Sequence, residues 1–135
     1  MVDLSKNITY IVLMKVIFGK QVADSLGDRM TVLELDTFFQ PGLTDPITAY
    51  AVLENTSIPY QEIPVIANHQ ELHNTMMLEY RRRNWNYCEQ ALEHLVGKWG
   101  GEVDSFYEEL SKRIAKLKET NLPNDWTGIV INTTA

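Results

Sequence analysis

Three histidines are the side chains of this sequence best suited to hold a metal ion. His69 and His73 lie four positions apart, so on a helix their imidazoles project to one side and could share an ion, with His94 as a third ligand. The pattern is not that of a zinc protease, because Glu71 is two positions beyond the first histidine and would point to another helix face. A solvated helix start is the interpretation we favour, and a metal-dependent enzyme using His69 and His73 is kept as an alternative.

A basic run beside an aromatic residue is the second candidate site. Arg81, Arg82 and Arg83 form a dense cluster of positive charge. Trp85 follows, and guanidinium groups next to an indole could bind an anionic ligand. The run interrupts the helical periodicity around it, and charged runs at a bend usually face solvent. These four residues are the ligand-binding candidates, with a solvated turn as the competing interpretation.

No side chain has the sequence context of a catalytic nucleophile. Cys88 would need a nearby base and a lowered thiol pKa, and the sequence offers it only the distant His94. Ser25 and Ser105 lack the setting of a nucleophile elbow, and no glycine-rich phosphate loop occurs. We therefore expect no catalytic residue and no cofactor.

The composition is that of an acidic globular protein. The chain has 135 residues, of which 44% are hydrophobic, and a net charge of -6, so we expect one domain with a real core. The negative charge repels phosphate backbones, which argues against nucleic acid as a partner. Apolar runs fall short of the ~20 residues needed to span a bilayer, so no membrane interaction is expected. A single cysteine and the lack of a recognisable secretory signal predict a cytoplasmic location.

The first half of the chain has the residue pattern of strands. A β-branched and aromatic run over residues 8–18 predicts a buried strand, and residues 19–26 predict a short helix. Residues 29–39 and 47–53 alternate in polarity and predict a β-hairpin closed by a loop over residues 40–46.

The second half has helical periodicity. Apolar residues recur at three and four from residue 71 and predict a helical hairpin that is interrupted at 81–86. After a glycine-rich break, residues 102–118 predict a further helix, and residues 126–131 a terminal strand or tail.

The predicted fold class is α+β, with a small antiparallel sheet containing a β-hairpin packed against a C-terminal helical hairpin. We expect a single domain over residues 1–135. Within it we distinguish a β-rich half at 1–57, a linker at 58–70 and a helical tail at 71–135.

Five segments resemble, in order, the end of one enzyme family. Residues 22–29 (VADSLGDR) and 33–36 (LELD) are similar to the last helix and strand of class III adenylate and guanylate cyclases, and residues 46–54 (PITAYAVLE) to their closing strand. Residues 77–85 (MLEYRRRNW) and 123–128 (PNDWTG) resemble a helical tail found after many bacterial cyclase domains. The hairpin turn departs from the family's lysine-glycine-lysine loop, and residues before Phe18 do not match.

The resemblance implies descent from a class III cyclase but not the catalytic chemistry of that enzyme. Cyclization of a nucleoside triphosphate needs two metal-binding carboxylates, and the family's pair lies upstream of the matched segments. Asp24, Asp28 and Asp36 fall on none of the family's metal positions. The resemblance therefore implies a noncatalytic cyclase-derived module with an interaction or regulatory role.

The helical hairpin also suggests what such a module binds. It resembles a single tetratricopeptide unit, with Tyr80, Trp85 and Ala91 near that repeat's preferred positions, and one such unit needs a neighbour to bury its other face. We therefore predict self-association or a protein partner. A small β-barrel module that binds nucleic acid, suggested by the short strands, is the other alternative, and the negative charge argues against it.

Overall fold

The computed structural model of the chain describes residue 10, residues 14–39, residue 42 and residues 44–131. Its strands are β1 (Val16–Phe18), β2 (Met30–Phe39), β3 (Ile47–Glu54) and β4 (Val130–Ile131), and its helices are α1 (Lys20–Ser25), α2 (Ile66–Arg81), α3 (Trp85–Leu95) and α4 (Asp104–Lys118). Short 3-10 helices cover Asn55–Ser57, Tyr60–Val65 and Trp99–Gly101. The fold is α+β, as the sequence predicts.

The sheet of the described residues has the strand order β1-β3-β2-β4. β1 and β2 both run antiparallel to β3, and β2 and β3 form the predicted hairpin. β4 adds to the other edge of β2 in the parallel direction, through the pairs Phe38 with Val130 and Phe39 with Ile131. The predicted antiparallel sheet is therefore extended by one short parallel strand from the C-terminal tail.

The register of β2 against β3 shifts between Glu34 and Thr37. On either side of this bulge, buried and partly exposed residues alternate, as expected for a strand with one covered face. Within it, the consecutive residues Leu35 and Asp36 are both buried. A bulge re-aims a side chain in this way, and here it directs a carboxylate into the interior.

Helix α2 begins at Ile66, five residues before the predicted start and inside the segment predicted as a linker. Residues 66–70 hold few apolar positions, so their periodicity does not show a helix. Before it, residues 60–65 form a 3-10 helix that includes Pro64. The segment predicted as a linker is therefore mostly helical.

Polar side chains of α2 cover the open edge of β2. Gln70 Nε2 donates to the carbonyl oxygen of Val32 over 3.1 Å, and Asn74 Oδ1 accepts the backbone N–H of Glu34 over 3.1 Å. His73 Nε2 lies 2.6 Å from the carbonyl oxygen of Glu34. An uncovered strand edge is a template for pairing with other chains, so these bonds protect the part of β2 that β4 does not reach.

One hydrophobic core joins the β-rich half to the helical tail. It includes Leu33, Leu35, Phe38, Ala49 and Ala51 of the sheet together with Met76, Met77, Tyr80, Leu95, Phe106, Leu110 and Ile114 of the helices. The residues of the predicted β-rich half and helical tail therefore pack on each other. Among the described helices, none combines the length and apolarity needed to cross a membrane.

Two predicted segments fall partly outside the described residues. Of the strand predicted at 8–18, the structure shows Val16–Phe18 as β1, and Tyr10 lies in a 3-10 turn. Residues 8, 9 and 11–13 lie outside the description, as do residues 40, 41 and 43 of the hairpin loop. The short helix predicted at 19–26 is confirmed as α1.

The edge protection of β2 can be tested with matched asparagines of α2. Replacing Asn74→Ala removes the acceptor of the Glu34 N–H, and we expect a loss of about 1 kcal/mol in the free energy of unfolding. Asn68→Ala, at an exposed position of the same helix, should cost less than about 0.5 kcal/mol. Urea unfolding measures both, and amide exchange at Glu34 should accelerate only in the first variant. Equal costs and unchanged exchange would contradict the role of Asn74.

Candidate functional site

His73, one of the predicted metal ligands, is a core residue with both ring nitrogens occupied. Its side chain is 0% exposed. Nδ1 lies 2.9 Å from the hydroxyl oxygen of Tyr107, which also accepts the indole N–H of Trp99 over 3.0 Å. Because the carbonyl of Glu34 can only accept, Nε2 carries the ring proton and the Tyr107 hydroxyl donates to Nδ1. Neither nitrogen is left for a metal ion.

Burial keeps this histidine uncharged. It lowers the pKa of His73 from 6.5 to about 4, against the smaller opposing effect of the bond to the Glu34 carbonyl. The same burial raises the pKa of Tyr107. At neutral pH the chain from Trp99 through Tyr107 and His73 to Glu34 therefore consists of neutral groups in complementary donor and acceptor roles.

The other two predicted metal ligands lie in different surroundings. His69 packs edge-to-face on Trp99 with the ring centroids 6.1 Å apart, and burial lowers its pKa, with Lys98 adding to the effect. His94 is exposed near the end of α3. Within the described ranges, no three His, Cys, Asp or Glu side chains are grouped so that they could hold a metal ion. The predicted histidine trio is therefore not assembled into a metal site.

The first two arginines of the basic run bind different carboxylates. Arg81 forms an ion pair with Glu34 of β2, and both side chains are partly buried. Arg82 is exposed and pairs with Glu79 one turn earlier on the helix, at 3.1 Å. The two guanidinium groups therefore have separate carboxylate partners and do not form a shared anion site.

The third arginine fastens the C-terminal tail. Arg83 has a positive φ of 64° at the end of α2, donates to the carbonyl oxygen of Pro123, and lies over the ring of Trp126 at 5.5 Å from its centroid. Trp85 contacts the same indole edge-to-face at 5.7 Å, and Tyr80 does so at 5.5 Å. The predicted ligand-binding residues Arg83 and Trp85 thus hold Trp126.

A buried ion pair, which the sequence analysis missed, links β2 to α4. Asp36 is 1% exposed, and its two carboxylate oxygens accept from the two terminal nitrogens of Arg113 at 2.8 Å and 3.0 Å. The hydroxyl of Tyr10 donates to the same carboxylate over 2.7 Å. The partners are 77 positions apart, so no local pattern pairs them. The available signal was a carboxylate in an apolar strand, since a buried carboxylate that stays charged needs a cation or strong donors beside it.

The charge states of this cluster follow from its surroundings. Burial by itself lowers the pKa of Arg113, and the adjacent Asp36 carboxylate more than reverses this, so that the guanidinium stays charged. Burial and the same carboxylate raise the pKa of Tyr10, which stays a hydrogen-bond donor. The cluster is therefore one anion, one cation and one neutral donor.

A cavity of about 370 Å³ adjoins the ion pair. Its lining includes Tyr10, Tyr80, Glu109, Arg113 and Trp126. Arg113 is the one cation among these lining residues, and it is already bound by Asp36 and lies 3.6 Å from Glu109. The cavity therefore offers an anionic ligand no unpaired positive charge.

The surroundings of Cys88, Asp24 and Asp28 do not resemble a catalytic site. Cys88 is buried, with Sγ 3.5 Å from the carbonyl oxygen of Met76, and burial raises its thiol pKa to about 12. Asp24 and Asp28 are exposed on α1 and the turn that follows it. Cys88 is thus a packing residue, in agreement with its sequence context.

Comparisons with protein-family models, with curated proteins and with solved structures found no match to this chain. Its function has to be inferred from its own residues. Some of these residues form two polar clusters inside the hydrophobic core, and they stabilise the fold. The surface has grooves that could bind a ligand.

The protonation of His73 should appear as a pH dependence of stability. Its pKa is lower in the folded chain, so the unfolded chain binds more protons between about pH 6.5 and 4, and stability falls as the pH falls through that window. From about pH 7 to 5 we expect a loss of about 2 kcal/mol from this group, measured by urea unfolding. His73→Gln should lose most of that dependence, whereas His94→Gln, at an exposed position, should keep it. Equal pH profiles in the two variants would contradict the assignment.

The buried ion pair should be costly to break on one side. Arg113→Met leaves the Asp36 carboxylate buried without a cation, and we expect a loss of about 3–5 kcal/mol in unfolding free energy. Adding Asp36→Asn removes the stranded charge and should recover part of that loss. Arg82→Met, at an exposed arginine, should stay within about 0.5 kcal/mol of the parent. A small effect of Arg113→Met alone would show that the pair does not anchor α4.

Proposed function

We propose that this chain is a noncatalytic module of the class III cyclase type that acts by binding a protein partner. The observation that carries the proposal is the ion pair between Asp36 and Arg113. Asp36 ends the strand segment that resembles the cyclase catalytic domain, and Arg113 lies on a helix of the region that resembles the tail. The carboxylate therefore joins the two regions within the chain and is not available as a metal ligand.

Contacts within the tail support the same proposal. The resemblance groups residues 77–85 with residues 123–128, and these segments pack on each other through Tyr80, Trp85 and Trp126. A Cβ added to Gly128 would lie 3.2 Å from the Tyr80 ring, and its φ is +78°, so a glycine suits this close approach. The two segments are about forty positions apart in the sequence and pack together, which is expected if they belong to one helical tail.

Exposed apolar side chains support a role in binding proteins. Tyr60 is 87% exposed and Ile63 is 47% exposed, both on the 3-10 helix before α2. Val96 is 55% exposed at the end of α3. Tyr60 and Ile63 are three positions apart on one 3-10 helix and therefore share a face, and exposed apolar residues on one face mark contact surfaces more often than isolated ones do. A partner or a second copy would cover such residues.

Neither alternative function gains an observation in its favour. The sheet of the described residues is open, with β1 and β4 at its two edges, and the chain is acidic, which does not suit a β-barrel that binds nucleic acid. His73, needed for the metal-dependent enzyme, has both nitrogens bonded within the core. The binding module remains the proposal.

Nucleotide chemistry is the direct test of the noncatalytic proposal. Calorimetry with ATP and with GTP in the presence of manganese should show no binding heat, and the same samples should contain no cyclic nucleotide. The expected reason is that the two metal-binding carboxylates of the family lie upstream of the matched segments, and that Asp24, Asp28 and Asp36 fall on none of those positions. Formation of cyclic product would refute the noncatalytic proposal.

The binding role has a separate test. Light scattering over a range of protein concentrations should detect self-association if a second copy covers the exposed apolar residues. A strict monomer at high concentration would count against self-association.

A further inference from the structure

A groove of about 630 Å³ lies on the outer surface between α3 and α4. Its apolar lining comes from Leu92 and Val96 at the end of α3 and from Tyr107 of α4. Leu92 and Tyr107 are anchored in the core, whereas Val96 is largely exposed. Leu92 and Tyr107 therefore fix the base of the groove but present little surface, and Val96 is the apolar lining side chain that is available for contact.

The rim of this groove is acidic. Glu89 and Glu93 of α3 and Asp104 and Glu108 of α4 line it, and Lys112 is the one cation among the lining residues. The lining residues thus have an excess of three negative charges, and Lys118, which pairs with Glu89, reduces the excess around Val96 to two. A ligand that complements it must carry positive charge beside an apolar surface.

The rim carboxylates keep much of their capacity to bind cations. Glu108 pairs with Lys112 at 3.1 Å, but these side chains are 69% and 70% exposed, and exposed pairs of this kind contribute little. Glu89 is held by Lys118 at 3.0 Å. Glu93 is exposed, and no Lys, Arg or His of the described residues lies within ion-pair distance of it. Replacing solvent and weak partners by a bound cation therefore costs little.

We propose that this groove docks an amphipathic helix of a partner protein that carries lysine or arginine along its polar face. The valley between two packed helices accepts the ridge of a third, and an apolar side chain of that helix would cover Val96 while its basic face meets Glu93 and Glu108. This inference rests on the proposed binding role and adds the chemistry of the partner.

A second copy of this chain is a poorer occupant than a basic partner. Each copy carries a net charge of -6, so two copies repel each other. The densest basic run is also committed, since Arg81 pairs with Glu34 and Arg83 holds Pro123. Nucleic acid is a polyanion, so the acidic rim of this groove repels it.

The test uses a synthetic amphipathic helix of leucine and lysine, about 14 residues long, which gives about four turns. A matched peptide has glutamate in place of every lysine. Fluorescence anisotropy with the whole chain should show binding of the lysine peptide, weaker at higher salt, and no binding of the glutamate peptide.

Two matched pairs of variants locate the binding. Glu93→Lys should weaken binding of the lysine peptide at least about tenfold. Glu71→Lys, the same charge change at an exposed position of α2, should keep the affinity within about twofold of the parent. Val96→Ser should weaken binding by about tenfold, and Val22→Ser, at an exposed valine of α1, should leave it unchanged. All four positions are exposed, so loss of folding is not expected to confuse the result.

Each outcome bears on one proposal. Absence of lysine-peptide binding, or equal losses in Glu93→Lys and Glu71→Lys, would overturn the groove as a basic-helix site and leave the noncatalytic role intact. Self-association that Val96→Ser abolishes would make a second copy the occupant and also overturn it. Cyclic nucleotide in the enzyme assay would refute the proposed function whatever the peptide result.

Discussion

The requirement that a buried carboxylate be neutralised governs how the two halves of this molecule fit together. Asp36 lies in the interior because the bulge in β2 turns it inward. Removing a carboxylate from water is costly, and the cost is met only by a well-placed cation with further hydrogen bonds. Arg113 and Tyr10 supply these, so the position of α4 against the sheet is tied to one side chain of the hairpin. Apolar contacts alone would allow α4 to slide, whereas a two-bond pair does not.

The second polar system in the core has the opposite character. Trp99, Tyr107 and His73 form a neutral chain that ends on the backbone of β2. Each donor has one acceptor, so the tautomer of His73 and the hydroxyl direction of Tyr107 are fixed together. The chain connects the 3-10 helix before α4, α4 itself, α2 and the sheet. Together with the ion pair it gives the interior two directional constraints that hydrophobic packing does not provide.

The sequence was informative where structure is local. Periodicity located the hairpin and the three main helices, because each of these repeats over its own length, whereas residues 126–131 were predicted only as a strand or a tail. It missed the start of α2, where residues such as Gln70 bond to a strand instead of presenting an apolar stripe. It also named His73 and Arg81 as site candidates from their chemistry, whereas both are bound to Glu34, about 40 positions or more away. Residue type shows what a side chain can do, and only the fold shows which partner it meets.

The cover over the edge of β2 restricts how this chain can change in length. Gln70, His73 and Asn74 reach the strand together because their spacing of three and four places them on one face of α2. Each residue of a helix turns it by about 100°, so an insertion or deletion between these positions and the part of α2 that packs in the core would rotate all three away from the strand at once. A substitution removes one bond, whereas a single insertion removes the whole cover. Changes in length are therefore expected outside α2 and not within it.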